Sequence, residues 1–229
     1  MSVLQLVTGW GGAVLAFGAN LYYIVLIRRG QATPHPVTWV VWTLIGALGA
    51  GSAIKAGAGP GALVPVAYAL VYLFTSYYAL RRLHSRSKAD RTALTSYDLL
   101  LGVMASSLAV AWKVADLGSG WLAALAVAAD SLALAPTLRY AWAEPSSGGE
   151  RRVWAADTLA AALGLSAVTL PWTAAAVAYP GYLVAGNGCV TAAMCLRHRR
   201  PGVGHAPRQR LDHRPDCVTP DPGSASSPP

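Results

Sequence analysis

Seven apolar stretches, each about long enough to cross a hydrocarbon layer of roughly 30 Å, set the limits on what this chain can become. They lie near Leu4–Ile27, Val37–Ala56, Ala62–Leu80, Tyr97–Val114, Trp121–Trp142, Val153–Trp172 and Ala174–Leu196. The basic residues between them fall on one side. With the N-terminus outside, the inward connections hold Arg28 and Arg29, then Arg81, Arg82, Arg86, Lys88 and Arg91, then Arg139, Arg151 and Arg152. The tail adds Arg197, Arg199, Arg200, Arg208, Arg210 and Arg214. Only Lys55 and Lys113 face outward, so the inner side carries sixteen of the eighteen Lys and Arg residues. Such an excess sets the orientation of a membrane protein, and an even number of spans would break the alternation. The expected fold class is an all-α integral membrane protein of seven transmembrane helices. The expected location is the plasma membrane, with the N-terminus outside and the C-terminus cytoplasmic.

The composition agrees. Hydrophobic residues make up 54% of the chain and charged residues 12%, against about 25% charged in a soluble domain. The net charge of +8 does not point to nucleic acid, because the positive residues sit at helix ends and in the tail, where they meet anionic lipid headgroups. The first apolar stretch lacks a basic n-region and runs into Arg28-Arg29, so it is read as a retained helix and not as a secretory signal. No metal or cofactor is expected. Cys189 and Cys195 read as small apolar core residues of the last helix, Cys217 lies in the tail, and zinc spacing is absent. His35, His84, His198, His205 and His213 fall in inner connections and tail.

Short polar segments divide the spans. Gly57-Ala58-Gly59-Pro60-Gly61 reads as a tight outer turn. Ser85 to Thr92 is a longer basic inner loop, and Pro145 to Gly149 a flexible one. From Pro201 the chain is rich in Pro, Gly, Ser and Arg; it cannot bury enough apolar surface to offset ordering entropy, so disorder is expected there.

The first three helices and the last three read alike. Asn20 falls opposite Asp130, Arg28 opposite Arg139, Trp39 opposite Trp154 and Pro65 opposite Pro180. Three helices reverse direction, so one extra helix is needed before a second triplet can run parallel to the first. Seven spans supply this 3+1+3 arrangement. The organisation is then a first three-helix bundle over residues 1–82, a basic inner loop and linker helix over 83–118, a second bundle over 119–200, and a tail over 201–229.

This layout resembles the SWEET and PQ-loop superfamily of small transporters over about Leu4 to Arg200. The resemblance rests on the repeat, on the Trp-opened helix in Pro34-His35-Pro36-Val37-Thr38-Trp39, and on Pro136-Thr137 near the inner part of the fifth helix. The Pro-Gln pair that names the PQ-loop proteins is missing from both halves. Gly18-Ala19-Asn20 stands at the place of an expected proline. The resemblance implies a transport scaffold of two parallel bundles with a site near their interface, and leaves the solute open among sugars, amino acids and others.

Asp130 is the leading site candidate. It falls near mid-membrane, where a carboxylate costs about 2.5–3.5 kcal/mol and faces the bundle interior or a cavity. It could bind a polar substrate or accept a coupling proton; the structural alternative is a bond to Ser131, Asn20 or backbone. Asn20, its counterpart, offers both donors and acceptors or acts as interhelical glue. Asn187, between Gly186 and Gly188, matches the asparagines that line the site in SWEET-type transporters, and its counterpart is Tyr72. Pro65, Pro136 and Pro180 free backbone carbonyls and serve as hinge candidates. Trp39 or Trp42 could gate the inner mouth, whereas Trp121, Trp142, Trp154, Trp172, Tyr77 and Tyr78 fit interfacial belts. Asp157, read as first-turn, and Asp98 complement helix dipoles, and Lys113 pairs with Asp116.

The expected function is a small-solute transporter working by alternating access between two bundles, possible as a homo-oligomer and not an enzyme. No intramembrane Lys in the seventh span supports a retinal Schiff base, and no catalytic signature stands out. The alternative is a membrane scaffold or sensor acting through its basic tail.

Overall fold

The computed structural model describes residues 2–32, 34, 36–84, 100, 103, 104, 107, 118–143, 148–169 and 173–198. Six long helices are present among them: α1 (Val3–Arg28), α2 (Pro36–Lys55), α3 (Leu63–His84), α4 (Ser119–Ala143), α5 (Gly148–Ser166) and α6 (Ala174–His198). A short 3-10 helix, Gly59–Ala62, leads into α3. The described residues contain no strand, so the protein is all-helical there. The span expected over Tyr97–Val114 lies almost wholly outside the described residues; Leu100, Val103, Met104 and Ser107 are helical. Asp98, Lys113, Asp116, Trp172 and the tail from Pro201 lie outside them too.

The helix ends have local causes. Ser2 and Gln5 form a capping box, the Ser2 hydroxyl accepting from Gln5 N–H at 3.2 Å and the Gln5 side chain from Ser2 N–H at 2.9 Å. α1 and α2 stop in the same way. Gly30 and Gly57 adopt φ of 73° and 71°, the left-handed conformation that glycine takes without strain. Gly30 N–H then reaches Ile27 O and Gln31 N–H reaches Leu26 O; Gly57 N–H reaches Ile54 O and Ala58 N–H reaches Ala53 O. These paired bonds are the Schellman closure. One boundary differs from the hydropathy reading. α5 starts at Gly148 and not Val153, because Glu150 suits the positive end of the helix and Arg151 and Arg152 continue it; it ends at Ser166.

Within each triplet the third helix lies between the other two. α3 packs on α1 and α2, and α6 packs on α4 and α5. The triplets meet through α1 against α5 and α2 against α4. The two triplets also carry matching hydrogen bonds. Thr43 donates to Trp39 O at 2.9 Å and its hydroxyl lies 2.9 Å from that of Ser76. Thr158 donates to Trp154 O at 2.8 Å and its hydroxyl lies 3.2 Å from that of Thr191. Each member of the second set stands 115 positions after its counterpart, from 43 to 158 and from 76 to 191.

The core holds Ala16, Ile45, Tyr68, Val71, Leu122, Ala126, Ala160, Tyr179 and Val190. Asn20, Ser52, Thr75, Asp130, Asp157 and Asn187 are buried with it. The outward faces are apolar: Leu4, Val7, Trp10 and Val14 on α1, and Leu70, Leu73, Phe74 and Tyr77 on α3, are all exposed. Cys189 and Cys195 are exposed, which corrects the core reading; both lie on the outward face of α6. Val3–Arg28 and Gly59–Arg81 are long and apolar enough to cross a membrane.

The α2–α3 turn is tied to the α5–α6 connection. Thr169 donates its hydroxyl to Gly57 O at 2.9 Å and its N–H to Ala58 O at 3.3 Å, and Gln5 donates to Val168 O at 3.3 Å. Close approach continues below. A Cβ on Gly12 would meet Val64 at 2.7 Å and Ala160 O at 2.9 Å, and one on Gly49 would overlap the Tyr179 ring. We predict that Gly49→Ala destabilises the protein by about 1–3 kcal/mol through overpacking. Gly11→Ala, whose Cβ meets nothing within 4 Å, leaves stability unchanged or slightly raised. Thermal melts of both variants in detergent check this.

Candidate functional site

Two buried polar clusters lie where the triplets meet. The first joins α1 to α5. Asn20 Nδ2 donates to Ala16 O at 3.0 Å and to Asp157 Oδ1 at 2.9 Å. From α3, the Tyr68 hydroxyl donates to the main-chain carbonyl of Asp157 at 2.9 Å. Asn20 is 0% and Asp157 3% exposed. Asp157 is the tenth residue of α5, so its reading as a first-turn residue is corrected: the helix starts five residues earlier, and the carboxylate faces another helix instead of its own N-terminus. The signal that would have found it was the 115-residue offset, which sets Asp157 opposite Trp42.

The second cluster surrounds Asp130, the twelfth residue of α4. It is 6% exposed. The Tyr179 hydroxyl donates to Asp130 Oδ2 over a long 3.4 Å. The Trp42 indole N–H lies close to the same carboxylate without the geometry of a hydrogen bond. Ser131 turns away and donates to Val127 O at 2.7 Å, and Asn20 is committed to Asp157. Neither therefore satisfies Asp130 in the way the structural alternative expected.

A cavity opens beside this carboxylate. Trp42, Tyr72, Asp130, Leu134, Trp154 and Tyr182 line it together with Leu183, Gly186 and Asn187. Its volume of about 10 Å³ has room for about one water. Its walls are aromatic. Trp42 meets Trp154 edge-on with centroids 5.9 Å apart and Tyr72 at 6.0 Å. Trp39 sits behind, 5.1 Å from Trp42 and 5.3 Å from Tyr72. Three buried donors on cavity residues have no hydrogen-bond partner: Trp42 Nε1, the Tyr182 hydroxyl and Asn187 Nδ2. Each such group costs about 1–3 kcal/mol, so three around one carboxylate mark a place that a ligand or water would complete.

The cavity thus brings together four of the residues singled out from the sequence: Asp130, Asn187, Tyr72 and Trp42. Asn20 belongs to the other cluster, and Trp39 backs the wall. Pro65 is the third residue of α3, in the first turn, where a missing N–H costs nothing. Pro180 is the seventh residue of α6, where it deprives Ala176 O of its helical donor. Pro136 falls within α4. Trp154 and Tyr182 are the lining residues the sequence reading missed. Trp154 was assigned to an interfacial belt because it opens a span, yet α5 begins a turn and a half before it and carries it inward. Among the described residues no group of three or more His, Cys, Asp or Glu could hold a metal ion.

No family model, no curated protein and no solved structure matches this chain.

The Asn20–Asp157 pair gives a direct test of the first cluster. Asn20→Ala leaves a buried carboxylate oxygen without its donor and is predicted to cost about 1–3 kcal/mol. In a double-mutant cycle with Asp157→Ala the two changes should couple by about 0.5–3 kcal/mol. Melting curves of the four proteins read out the coupling, and strict additivity would dissolve the pair.

Proposed function

We propose that the chain is a multi-pass membrane transporter for a small polar solute, working by alternating access between the α1–α3 and α4–α6 bundles. The cavity carries this reading. It draws Trp42 and Tyr72 from one triplet and Asp130, Trp154, Tyr182 and Asn187 from the other, so movement of one against the other would remake it. With room for about one water, it is a contracted site that bundle movement must widen before a solute enters.

A membrane setting is supported by the reversed polarity of the bundle. Carboxylates and amides are buried while large apolar side chains face outward on α1 and α3. In water such a surface would be a large association patch; in lipid it is the matching solvent, and interior polar groups pair between helices. Two helices long and apolar enough to span and the one-sided Lys and Arg support the plasma-membrane, N-out topology. The duplicated hydroxyl pairs at a constant 115-residue offset support the internal repeat. Together with the like packing order of the triplets, they favour the 3+1+3 plan resembling the SWEET and PQ-loop transporters.

Two outcomes are expected. Asp130→Ala and Asn187→Ala, purified with wild-type elution profiles, should each lower solute uptake into proteoliposomes at least tenfold; wild-type uptake in both would remove this cavity as the site. In a cysteine-free background, Lys55→Cys should react with an impermeant maleimide on intact cells. Arg29→Cys should react only after permeabilisation, and the reverse pattern would invert the topology.

A further inference from the structure

We propose that the solute held at this cavity is a small organic cation, and that it exchanges there for a proton on Asp130. This rests on the transporter reading above. Asp130 supplies a charge with no cation beside it: among the described residues no Lys, Arg or His lines the cavity, and its Tyr179 bond is long at 3.4 Å. A buried carboxylate persists as an anion only with a partner that neutralises it. A sugar or other neutral polyol brings hydrogen bonds without charge. An ammonium group, protonated or quaternary, brings the charge, and the walls suit it. Trp42, Tyr72, Trp154 and Tyr182 surround the carboxylate with aromatic rings, whose faces attract ammonium groups and form cages for quaternary ones. The unpaired donors of Trp42, Tyr182 and Asn187 specify the rest of the solute, which carries an acceptor such as a hydroxyl or carbonyl oxygen a few bonds from the nitrogen.

The charge balance gives the mechanism. One carboxylate is neutralised by one proton or by one cation. As the ammonium arrives, the O–H bond of protonated Asp130 breaks and the proton leaves to water; as the ammonium departs, a proton returns to the same oxygen. Only the neutral states of the site cross between access states at low cost, because an empty carboxylate carries its charge through an apolar interior. The cycle therefore moves one cation one way and one proton the other.

The test uses the full-length protein in liposomes loaded with a pH-sensitive dye in weak buffer. Choline chloride, tetramethylammonium chloride and, at equal osmolarity, glucose and sorbitol are added outside. Choline and tetramethylammonium hold a permanent charge, so neither crosses lipid as a neutral base. The lumen should become alkaline with choline, less so with tetramethylammonium, which lacks the acceptor oxygen, and not with either polyol. Asp130→Asn should reduce the response at least tenfold. Should that variant fail to fold, Trp154→Ala, which removes an aromatic face and no charge, should weaken it at least tenfold. Uptake of labelled glucose or sorbitol with no pH change would overturn the cation and leave the transporter standing. No pH change with either cation and no uptake of any of the four would overturn both.

Discussion

Away from water, a backbone or side-chain polar group can be satisfied only by another part of the protein. The arrangement of this bundle follows from where its polar side chains find partners. Asn20 on α1 reaches Asp157 on α5, and Tyr68 on α3 reaches the backbone of the same residue. These bonds fix how α1 and α3 of one triplet lie against α5 of the other. Hydroxyl pairs do the same inside each triplet, between α2 and α3 and between α5 and α6. Apolar packing alone is a weak guide to register among alanine-rich helices with similar faces. The polar pairs supply the discrimination, in the way a buried polar residue fixes register in a coiled coil.

On the proposed repeat, the two places where the triplets meet are built from the same positions filled differently. Asn20 corresponds to Asp130, Asp157 to Trp42, and Tyr72 to Asn187. On one side an amide faces a carboxylate, and the amide N–H₂ has both its hydrogen bonds. On the other side a carboxylate faces an indole, and donors are left over. The first junction leaves one buried acceptor over, Asn20 Oδ1, whereas the second leaves donors over beside a cavity. These exchanges accompany a cavity on one side of the bundle, lined by Asp130, Trp42, Tyr72 and Asn187.

Six of the seven expected helices were legible among the described residues, because long apolar runs ended by Gly and Arg leave little freedom. Asp130 and Asn187 stood out for a related reason, since a carboxylate or amide inside an apolar helix needs an explanation, and both line the cavity. Asp157 and Trp154 were not, since both follow Glu150-Arg151-Arg152, and a hydropathy window reads three charges as the end of a span. The helix continues through them, and burial of Glu150 carries the later residues inward. Pairing was hidden altogether. Asn20 and Asp130 sit at corresponding positions, but correspondence by repeat is different from contact: Asn20 bonds Asp157 in the opposite triplet, and Asp130 accepts from Tyr179 in its own. The outward side of α6, where Cys189 and Cys195 lie, is set by its packing on α4 and α5, which are distant in sequence.

The bonds from Thr169 to Gly57 and Ala58, and from Gln5 to Val168, join the two triplets at one end of the bundle. At the other end Leu26 of α1 lies so near Gly149 of α5 that a Cβ there would meet its methyls at 2.9 and 3.0 Å. α6 has 25 residues and is about 37 Å long at 1.5 Å per residue. A tilt of about 10° about the pinned end moves its far end by about 6 Å and Asn187 by about half of that. On the proposed transport reading, a rotation of this size would be enough to widen the cavity from the far end, whereas opening at the Thr169 end would first break the three bonds found there.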